Sequence, residues 1–310
     1  MKKPTFDPGL TQQYSASIRR VITKDGQFNV RRHGTTWQDV HPYLYFINAP
    51  WYKFFALLFA SFIFVNLVFA ATYYLIGIQY LQGASAPTTW GRFLKAFFFS
   101  AQTLTTVGYG TLAPQGTLVS LVAAFEAMLG LMGFAVLTGF LVGRITRPTA
   151  RIGFSNTMII APYQDGTSLQ FRVVNRGVSN LMELQANVML MTVVDVGGRQ
   201  ERKFERLELE RDSVLFLALT WTIVHAIDKE SPLFGKTAAD LERMQAEVLI
   251  LIKGVDDMFS QVVHARYSYR YDEIVWGARF TPAFGIDDTG NMKLEVDRIS
   301  DIERVPRLVP

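Results

Sequence analysis

Residues Thr105–Gly110 read TTVGYG, and on either side of them the chain turns apolar for long stretches. Upstream, Phe54–Ile76 reads FFALLFASFIFVNLVFAATYYLI, 23 residues without a charge. At 1.5 Å per residue a helix of that length measures about 35 Å, enough to cross a hydrocarbon layer of about 30 Å. Downstream, Thr117–Gly143 reads TLVSLVAAFEAMLGLMGFAVLTGFLVG and carries one charge, Glu126. Two such runs predict two membrane spans with the quoted motif in the loop between them. Two buried helices of a soluble protein are the rival reading. The first run starts too late and is too long for a signal peptide.

The flanking charges orient the spans. Lys2, Lys3, Arg19, Arg20, Lys24, Arg31, Arg32 and Lys53 precede or open the first run, and Arg144, Arg147 and Arg151 follow the second. The loop between, Gly77–Gly116, has only Arg92 and Lys95. Cytoplasmic flanks collect Lys and Arg, so both termini are expected in the cytoplasm and the loop outside, in a multi-pass protein of the cell membrane. Tyr52, Tyr73, Tyr74, Tyr80 and Trp90 suit the interfacial belts. Thr36–Asn48, TWQDVHPYLYFIN, mixes Trp37, Val40, Tyr43, Leu44, Phe46 and Ile47 with Gln38, Asp39 and His41. It reads as an amphipathic helix on the inner membrane surface, or else as a plain juxtamembrane linker.

Composition narrows the classes. A chain of 310 residues suggests about two domains. The basic surplus of four, 31 Lys and Arg against 27 Asp and Glu, is too small to argue for a nucleic-acid partner. Cysteine is absent, which excludes disulfides, thiolate zinc sites, iron–sulfur clusters and cysteine nucleophiles. From about Ser155 the pattern changes to short alternating apolar runs: Met158–Ala161, Leu169–Val174, Asn187–Val194, Phe204–Leu209, Val248–Lys253, Gln261–Tyr271 and Glu273–Phe280. YQDGTS and DVGGR supply turns between them, and a helix is predicted at Ala238–Gln245. Many short strands over some 150 residues predict an all-β sandwich.

The sequence TVGYG is the known filter motif of potassium channels. Its residue types make physical sense. A dehydrated K⁺ needs a cage of oxygens, and consecutive carbonyls line an axis only when the backbone alternates between unusual dihedral regions. Gly108 and Gly110 permit positive φ without a Cβ clash. Val107 and Tyr109 are expected to turn away from the axis and pack behind the loop. Thr106 adds its hydroxyl at the inner end. Carbonyls of Thr106, Val107, Gly108 and Tyr109 then form rings for K⁺, with Gly110 closing the motif; each chain supplies one wall, so four chains are required. Thr88 or Thr89 caps a helix through Trp90–Leu104, whose negative dipole end points at the cavity.

Helical spacing sets Ala127, Leu131, Phe134, Thr138 and Leu141 or Val142 on one face of the second span. Leu141, Val142 and Ile145 are placed to form an apolar gate. Gly130, Gly133, Gly139 and Gly143 serve either packing or bending. Glu126 is either a functional intramembrane carboxylate or a structural one hydrogen-bonded behind the filter.

Several blocks carry a wider resemblance: AFFFSAQTLTTVGYG (Ala96–Gly110), RITRPTA (Arg144–Ala150), FRVVNRG (Phe171–Gly177), TWTIVHAIDKESPLFG (Thr220–Gly235) and DEIVWGARF (Asp272–Phe280). The sequence resembles the prokaryotic inward-rectifier potassium channels, the KirBac family, over about residues 36–285. The resemblance implies a membrane α plus cytoplasmic β fold, a two-transmembrane-helix pore followed by an immunoglobulin-like β sandwich, assembled as a homotetramer. The boundaries expected are a cytoplasmic segment 1–35, slide helix 36–49, outer helix 50–77, pore helix and filter 78–116, inner helix 117–147 and sandwich 148–310.

The same resemblance implies K⁺ in the filter and no organic cofactor. It implies a cytoplasmic constriction at Phe259, Ser260, Gln261 and Val262. Lys53, Arg144, Arg147 and Arg151 match or lie near positions that contact phosphoinositides or other anionic phospholipids, or they simply anchor to the inner leaflet. Mg²⁺ and polyamines are the blockers it implies, yet Phe134 stands where strong rectifiers carry an acid. Gln102 stands behind the filter where many members have Glu, and Thr111 follows the motif in place of Asp.

Other readings are a non-rectifying K⁺ leak channel, a membrane-anchored β-sandwich receptor, and a membrane-anchored enzyme. The enzyme reading lacks a constellation: His33, His41, His225 and His264 have no metal-ligand spacing, and no glycine-rich phosphate loop or nucleophile motif is present. His225 and Asp228 read as structural.

Overall fold

The computed structural model describes residues 9–10, 13–14, 20–30, 33–34, 42–147 and 150–305. Trp37, Gln38, Asp39, Val40 and His41 of the predicted interfacial helix lie outside these, as do Lys2, Lys3, Arg19, Arg31 and Arg32. From the N-terminus the elements are β1 (Gln13–Tyr14), α1 (Pro42–Asn48), α2 (Trp51–Gly77), β2 (Leu81–Gln82), α3 (Thr89–Leu104), β3 (Ala113–Pro114) and α4 (Thr117–Ile145). Two compact units form: residues 33–147 are one, and 1–32 with 148–310 are the other.

In the helical unit, Pro50 stands between α1 and α2, where its missing N–H costs no helical bond. Gly77, with φ of 129°, ends α2 in a conformation open to glycine. Along 27 residues α2 buries only Phe54, Asn66, Ala70 and Tyr73; along 29 residues α4 buries only Val119, Ala123 and Glu126. Long apolar helices left this uncovered do not fit a soluble core, but they do fit hydrocarbon, where all backbone groups are satisfied within the helix. α3 packs between them around Phe99, Ala96 and Tyr73. Thr88 caps α3, its Oγ1 accepting from the Gly91 N–H at 3.0 Å. β2 pairs antiparallel with β3, which ties the segment before α3 to the segment after the TTVGYG motif.

The second unit continues with β4 (Ile152–Phe154), β5 (Met158–Tyr163), β6 (Gly166–Asn175), β7 (Leu181–Val196), β8 (Arg199–Arg206), β9 (Ser213–Phe216), β10 (Thr220–Ile227), α5 (Ala238–Arg243), β11 (Glu247–Asp256), β12 (Gln261–Arg270), β13 (Ile274–Trp276) and β14 (Ala278–Phe280). One sheet has the order β1-β8-β7-β11-β12, with β9 also on β7; the other runs β10-β6-β5-β13, with β4 on β6. Pairing is antiparallel except for β13 with β5. Met158, Leu169, Phe171 and Val173 of one sheet bury against Leu184, Val188, Leu190, Val248 and Ile250 of the other, giving a two-sheet sandwich.

Two strand expectations and one helix expectation shift. The run Phe204–Leu209 is replaced by β8 at Arg199–Arg206. Gly197 and Gly198, at φ of 63° and 81°, close a tight hairpin that fixes Val196 opposite Arg199, and the ladder ends at Arg206. Leu207 then turns into the core, its N–H donating to the Val188 carbonyl at 3.0 Å. The run Glu273–Phe280 breaks into a short helical turn, β13 and β14, because Gly277 at φ of 64° diverts the chain from one sheet to another pairing. The predicted helix at Ala238–Gln245 stops at Arg243.

The N-terminal stretch 20–30 belongs to the sandwich unit. Val21 and Ile22 pack with Met191, Phe204 and Leu249. The buried Glu247 carboxylate accepts the Val21 N–H at 3.0 Å and the Ile22 N–H at 3.5 Å. Glu273 pairs with Arg20 and, at 2.7 Å, with Lys24. Burial works to raise the Glu273 pKa, but Lys24, the Arg270 N–H and Arg20 outweigh it and hold the carboxyl below its ordinary value.

Candidate functional site

At the end of α3 the backbone reverses its habits. Thr106, Gly108 and Gly110 have φ of 59°, 54° and 80°, while Val107 and Tyr109 between them stay on the negative side. Alternating φ signs are the backbone pattern a filter needs to turn successive carbonyls toward one axis. The N–H of Thr106 donates to Thr103 O at 3.0 Å, and those of Val107 and Gly108 both donate to Gln102 O, at 2.9 and 3.2 Å. Among the described residues, no hydrogen bond ends on the carbonyls of Thr106, Val107, Gly108 or Tyr109. The first three donors of the motif are thus spent on the helix end, while its acceptors are left free among the described residues. Thr106 was not expected at positive φ. A β-branched residue there is a strained outlier, of the kind that functional backbones hold.

Val107 and Tyr109 are exposed, at 54% and 78%, and do not pack behind their own loop. Gln102 is buried, and its Nε2 donates to Leu112 O at 3.2 Å, so one residue holds both the start of the motif and the segment after it. Beside it a groove of about 390 Å³ is lined by Phe99, Gln102, Thr106, Gly108 and Ala127 among others.

Glu126 is fully buried and accepts from the Tyr73 hydroxyl at 2.6 Å and from Ser100 Oγ. Ser100 Oγ also lies 2.9 Å from Asn66 Oδ1, and Asn66 Nδ2 donates to Phe62 O at 2.7 Å. Of the two roles considered for Glu126, this geometry favours the structural one. Tyr73 is buried in this cluster and does not stand in an interfacial belt. Asn66 has a local signal: it is the one amide in a charge-free run, spaced at i, i+4, i+7 with Ala70 and Tyr73.

Leu131, Phe134, Thr138, Val142 and Ile145 are exposed on α4, with Leu141 half-buried. The Thr138 hydroxyl is spent on Phe134 O at 2.9 Å. The inner-helix glycines separate into two kinds. A Cβ on Gly130 would overlap the Leu104 carbonyl, and one on Gly143 would meet Tyr43 Oη at 3.1 Å, so these two serve close packing. Gly133 and Gly139 face open space.

The basic residues also divide. Arg144 is drawn inward: its guanidinium donates to Phe46 O and, at 2.7 Å, to Ala49 O, and lies 4.4 Å from the Trp51 ring and 4.7 Å from that of Phe54. It holds the end of α1, whose Phe46 stacks on Phe140. Arg147 donates to Asn48 Oδ1, and Lys53 is exposed. Arg151 is exposed in the other unit. Phe259, Ser260, Gln261 and Val262 form the turn and start of β12, where the Asp256 carboxylate accepts from the Met258 and Phe259 N–H groups at 3.1 and 3.2 Å. His225 is buried, with Nδ1 2.6 Å from Glu208 O and Nε2 2.8 Å from Ser231 Oγ, and burial pushes its pKa down.

Two uncovered apolar helices, a helix ending in an unclaimed row of carbonyls, and a β sandwich define a potassium-channel pore with a cytoplasmic domain. The comparisons agree. A model described as the inward rectifier potassium channel C-terminal domain matches residues 152–309, and one described as an ion channel matches residues 60–147. The inward rectifier potassium channel Kirbac3.1 of Paramagnetospirillum magnetotacticum is 33% identical over 287 residues, covering 91% of this chain and 95% of that one. The G protein-activated inward rectifier potassium channel 4 of Mus musculus is 30% identical over 213 residues, 63% of this chain and 49% of that protein, so the match spans about half of it. The human G protein-activated inward rectifier potassium channel 2 is 26% identical over 309 residues, 87% and 69% of the two chains. The chain belongs to the inward-rectifier potassium channel family, whose members are membrane ion channels and not enzymes.

Proposed function

We propose that four copies of this chain form a K⁺-selective pore with Thr106–Gly110 of each as one wall of the filter. The observation that carries this is the alternation of φ at Thr106, Gly108 and Gly110, with N–H groups tied back to Gln102 and Thr103 and the carbonyls free. Free carbonyls on a constrained backbone replace the hydration shell of a dehydrated cation. The exposure of Val107 and Tyr109 supports the same reading, since neighbouring copies would cover them. Both termini lie in the cytoplasm, and Leu141, Val142 and Ile145 gate the pore at its inner end, below a cavity lined by Leu131, Phe134 and Thr138. Phe259–Val262 narrow the cytoplasmic vestibule. Lys53, Arg147 and Arg151 contact anionic lipid headgroups, including phosphoinositides; Arg144 is spent on the α1 carbonyls and acts as a structural anchor.

Phe134 favours shallow block, and so a conductance close to a leak. It is exposed, at 68%, on the cavity face and offers no carboxylate to Mg²⁺ or polyamines.

The test is uptake of Rb⁺ against Na⁺ into liposomes holding the purified full chain, with anionic lipid content varied and with internal Ba²⁺ as blocker. Rb⁺-selective, Ba²⁺-sensitive uptake is the expected result. Equal Na⁺ and Rb⁺ uptake would remove the filter assignment. A steep voltage dependence appearing with internal Mg²⁺ would remove the shallow-block reading.

A further inference from the structure

We infer that Tyr73, Ser100 and Glu126 act together as a positioning relay that sets the register of α3, and through it the geometry of the filter. This rests on the reading of Thr106–Gly110 as the filter. The three side chains come from α2, α3 and α4, one from each helix, and all are fully buried. The Glu126 carboxyl is the shared acceptor: one oxygen takes the Tyr73 hydroxyl at 2.6 Å, and the other takes Ser100 Oγ. The same Ser100 hydroxyl is shared with Asn66 Oδ1, 2.9 Å away, and Asn66 is itself fixed by its Nδ2 donating to Phe62 O.

The contact has a second rung. Gly130, one turn beyond Glu126, lies against the Leu104 carbonyl, one turn beyond Ser100, closely enough that a Cβ would overlap it. Two successive turns of α4 are therefore locked to two successive turns of α3. Between those rungs sits Gln102, whose carbonyl holds the Val107 and Gly108 N–H groups. A slip of α3 along α4 would move that carbonyl and with it the first peptides of the motif. The polar rung makes the slip costly, because a buried carboxyl that loses a donor is left unsatisfied. A hydroxyl in hydrocarbon has no water to fall back on. Gln102 acts locally, bridging the ends of the motif. The relay acts from the helices, with its carboxyl on α4.

The test removes single groups in the full-length tetramer and reads ion discrimination in liposomes. Tyr73→Phe deletes one oxygen and Ser100→Ala one hydroxyl. Each is expected to lower the Rb⁺ over Na⁺ uptake ratio on the order of tenfold while the tetramer persists on size exclusion. Glu126→Ala is expected to do the same, and Glu126→Gln, which keeps an acceptor for Tyr73 and offers an N–H to Ser100, to restore the ratio. Adding Tyr73→Phe to Glu126→Ala is expected to cost nothing further, because both act through one interaction. Thr72→Val, removing an exposed hydroxyl bonded only within α2, is the control expected to leave the ratio unchanged.

Wild-type ratios in tetrameric Tyr73→Phe and Ser100→Ala would overturn the relay even if both variants melt earlier, since a purely structural role moves stability alone. If Glu126→Ala does not assemble, Tyr73→Phe decides by itself. A wild-type protein that fails to discriminate Rb⁺ from Na⁺ would take down the filter reading and the relay with it, a result distinct from selective wild type with selective variants.

Discussion

Along Thr106–Gly110 the carbonyls find no donor among the described residues, and Val107 and Tyr109 stand exposed. Along β7 and β11 the backbone is consumed in ladders on both edges, and Leu184, Val188, Val248 and Ile250 vanish into the core. In the first region the backbone is the working surface, and side chains serve to shape it. In the second the backbone is scaffolding, and side-chain volume decides stability. The two regions should therefore fail in different ways when altered, and four changes probe the difference.

The largest effect is expected at the filter. Gly108→Ala or Gly110→Ala forces a Cβ onto φ of 54° or 80°, at about 1–2 kcal/mol per residue in each of four copies. Space around both glycines is open, so the penalty is conformational and not a clash. Selective Rb⁺ uptake is expected to vanish while the thermal unfolding of the sandwich stays in place. Selectivity surviving in both variants would erase the distinction drawn above.

Next comes Leu184→Ala, at a fully buried core position between the sheets. It is expected to destabilise the sandwich by about 2–5 kcal/mol in denaturant titrations, with ion discrimination unchanged in the tetramers that remain. A loss of selectivity there would mean that the regions are not independent.

Acid should destabilise the sandwich. His225 has its pKa lowered by burial, so below its ordinary value the unfolded chain binds a proton that the folded chain refuses. The lowered Glu273 carboxyl adds to this at lower pH, because the unfolded carboxyl protonates first. Both contributions are complete above the ordinary pKa of each group and are lost as pH falls, so the unfolding midpoint should drop on acidification. His225→Gln should flatten the upper part of that profile, and an unchanged profile would assign the loss elsewhere.

The smallest effect is expected from Arg147→Gln with Arg151→Gln. Each charge near an anionic surface is worth about 1 kcal/mol, so the response of flux to phosphoinositide content should weaken with ion selectivity intact. An identical lipid response would leave those residues without a lipid role.

Much of this contrast was legible in the sequence, for local reasons. Span length, the period-2 runs and the TTVGYG motif each declare themselves within one contiguous stretch of chain. What stayed hidden depends on partners far along the chain. Arg144 reads as a lipid ligand until the α1 carbonyls are found beneath it. Tyr73 reads as a belt residue until Glu126 is found facing it. Thr106 gives no local sign of positive φ, since a threonine takes that conformation only where surrounding bonds impose it. The boundary of β8 is set by the Gly197-Gly198 turn and its register, which the apolar run Phe204–Leu209 does not reveal.

The docking of residues 20–30 on the sandwich has a consequence for biogenesis. The helical unit is, in chain order, an insertion: the sandwich begins before it and resumes after it. Val21 meets its carboxylate acceptor 226 residues further on. Ribosomes release the first piece of the cytoplasmic domain long before its docking surface exists, and both membrane helices are made in the interval. That piece must wait, unpaired, until β8, β11 and β12 have been synthesised. Closure of so long a loop is slow on entropic grounds. Its completion marks the moment at which both ends of the helical unit become fastened to one folded body.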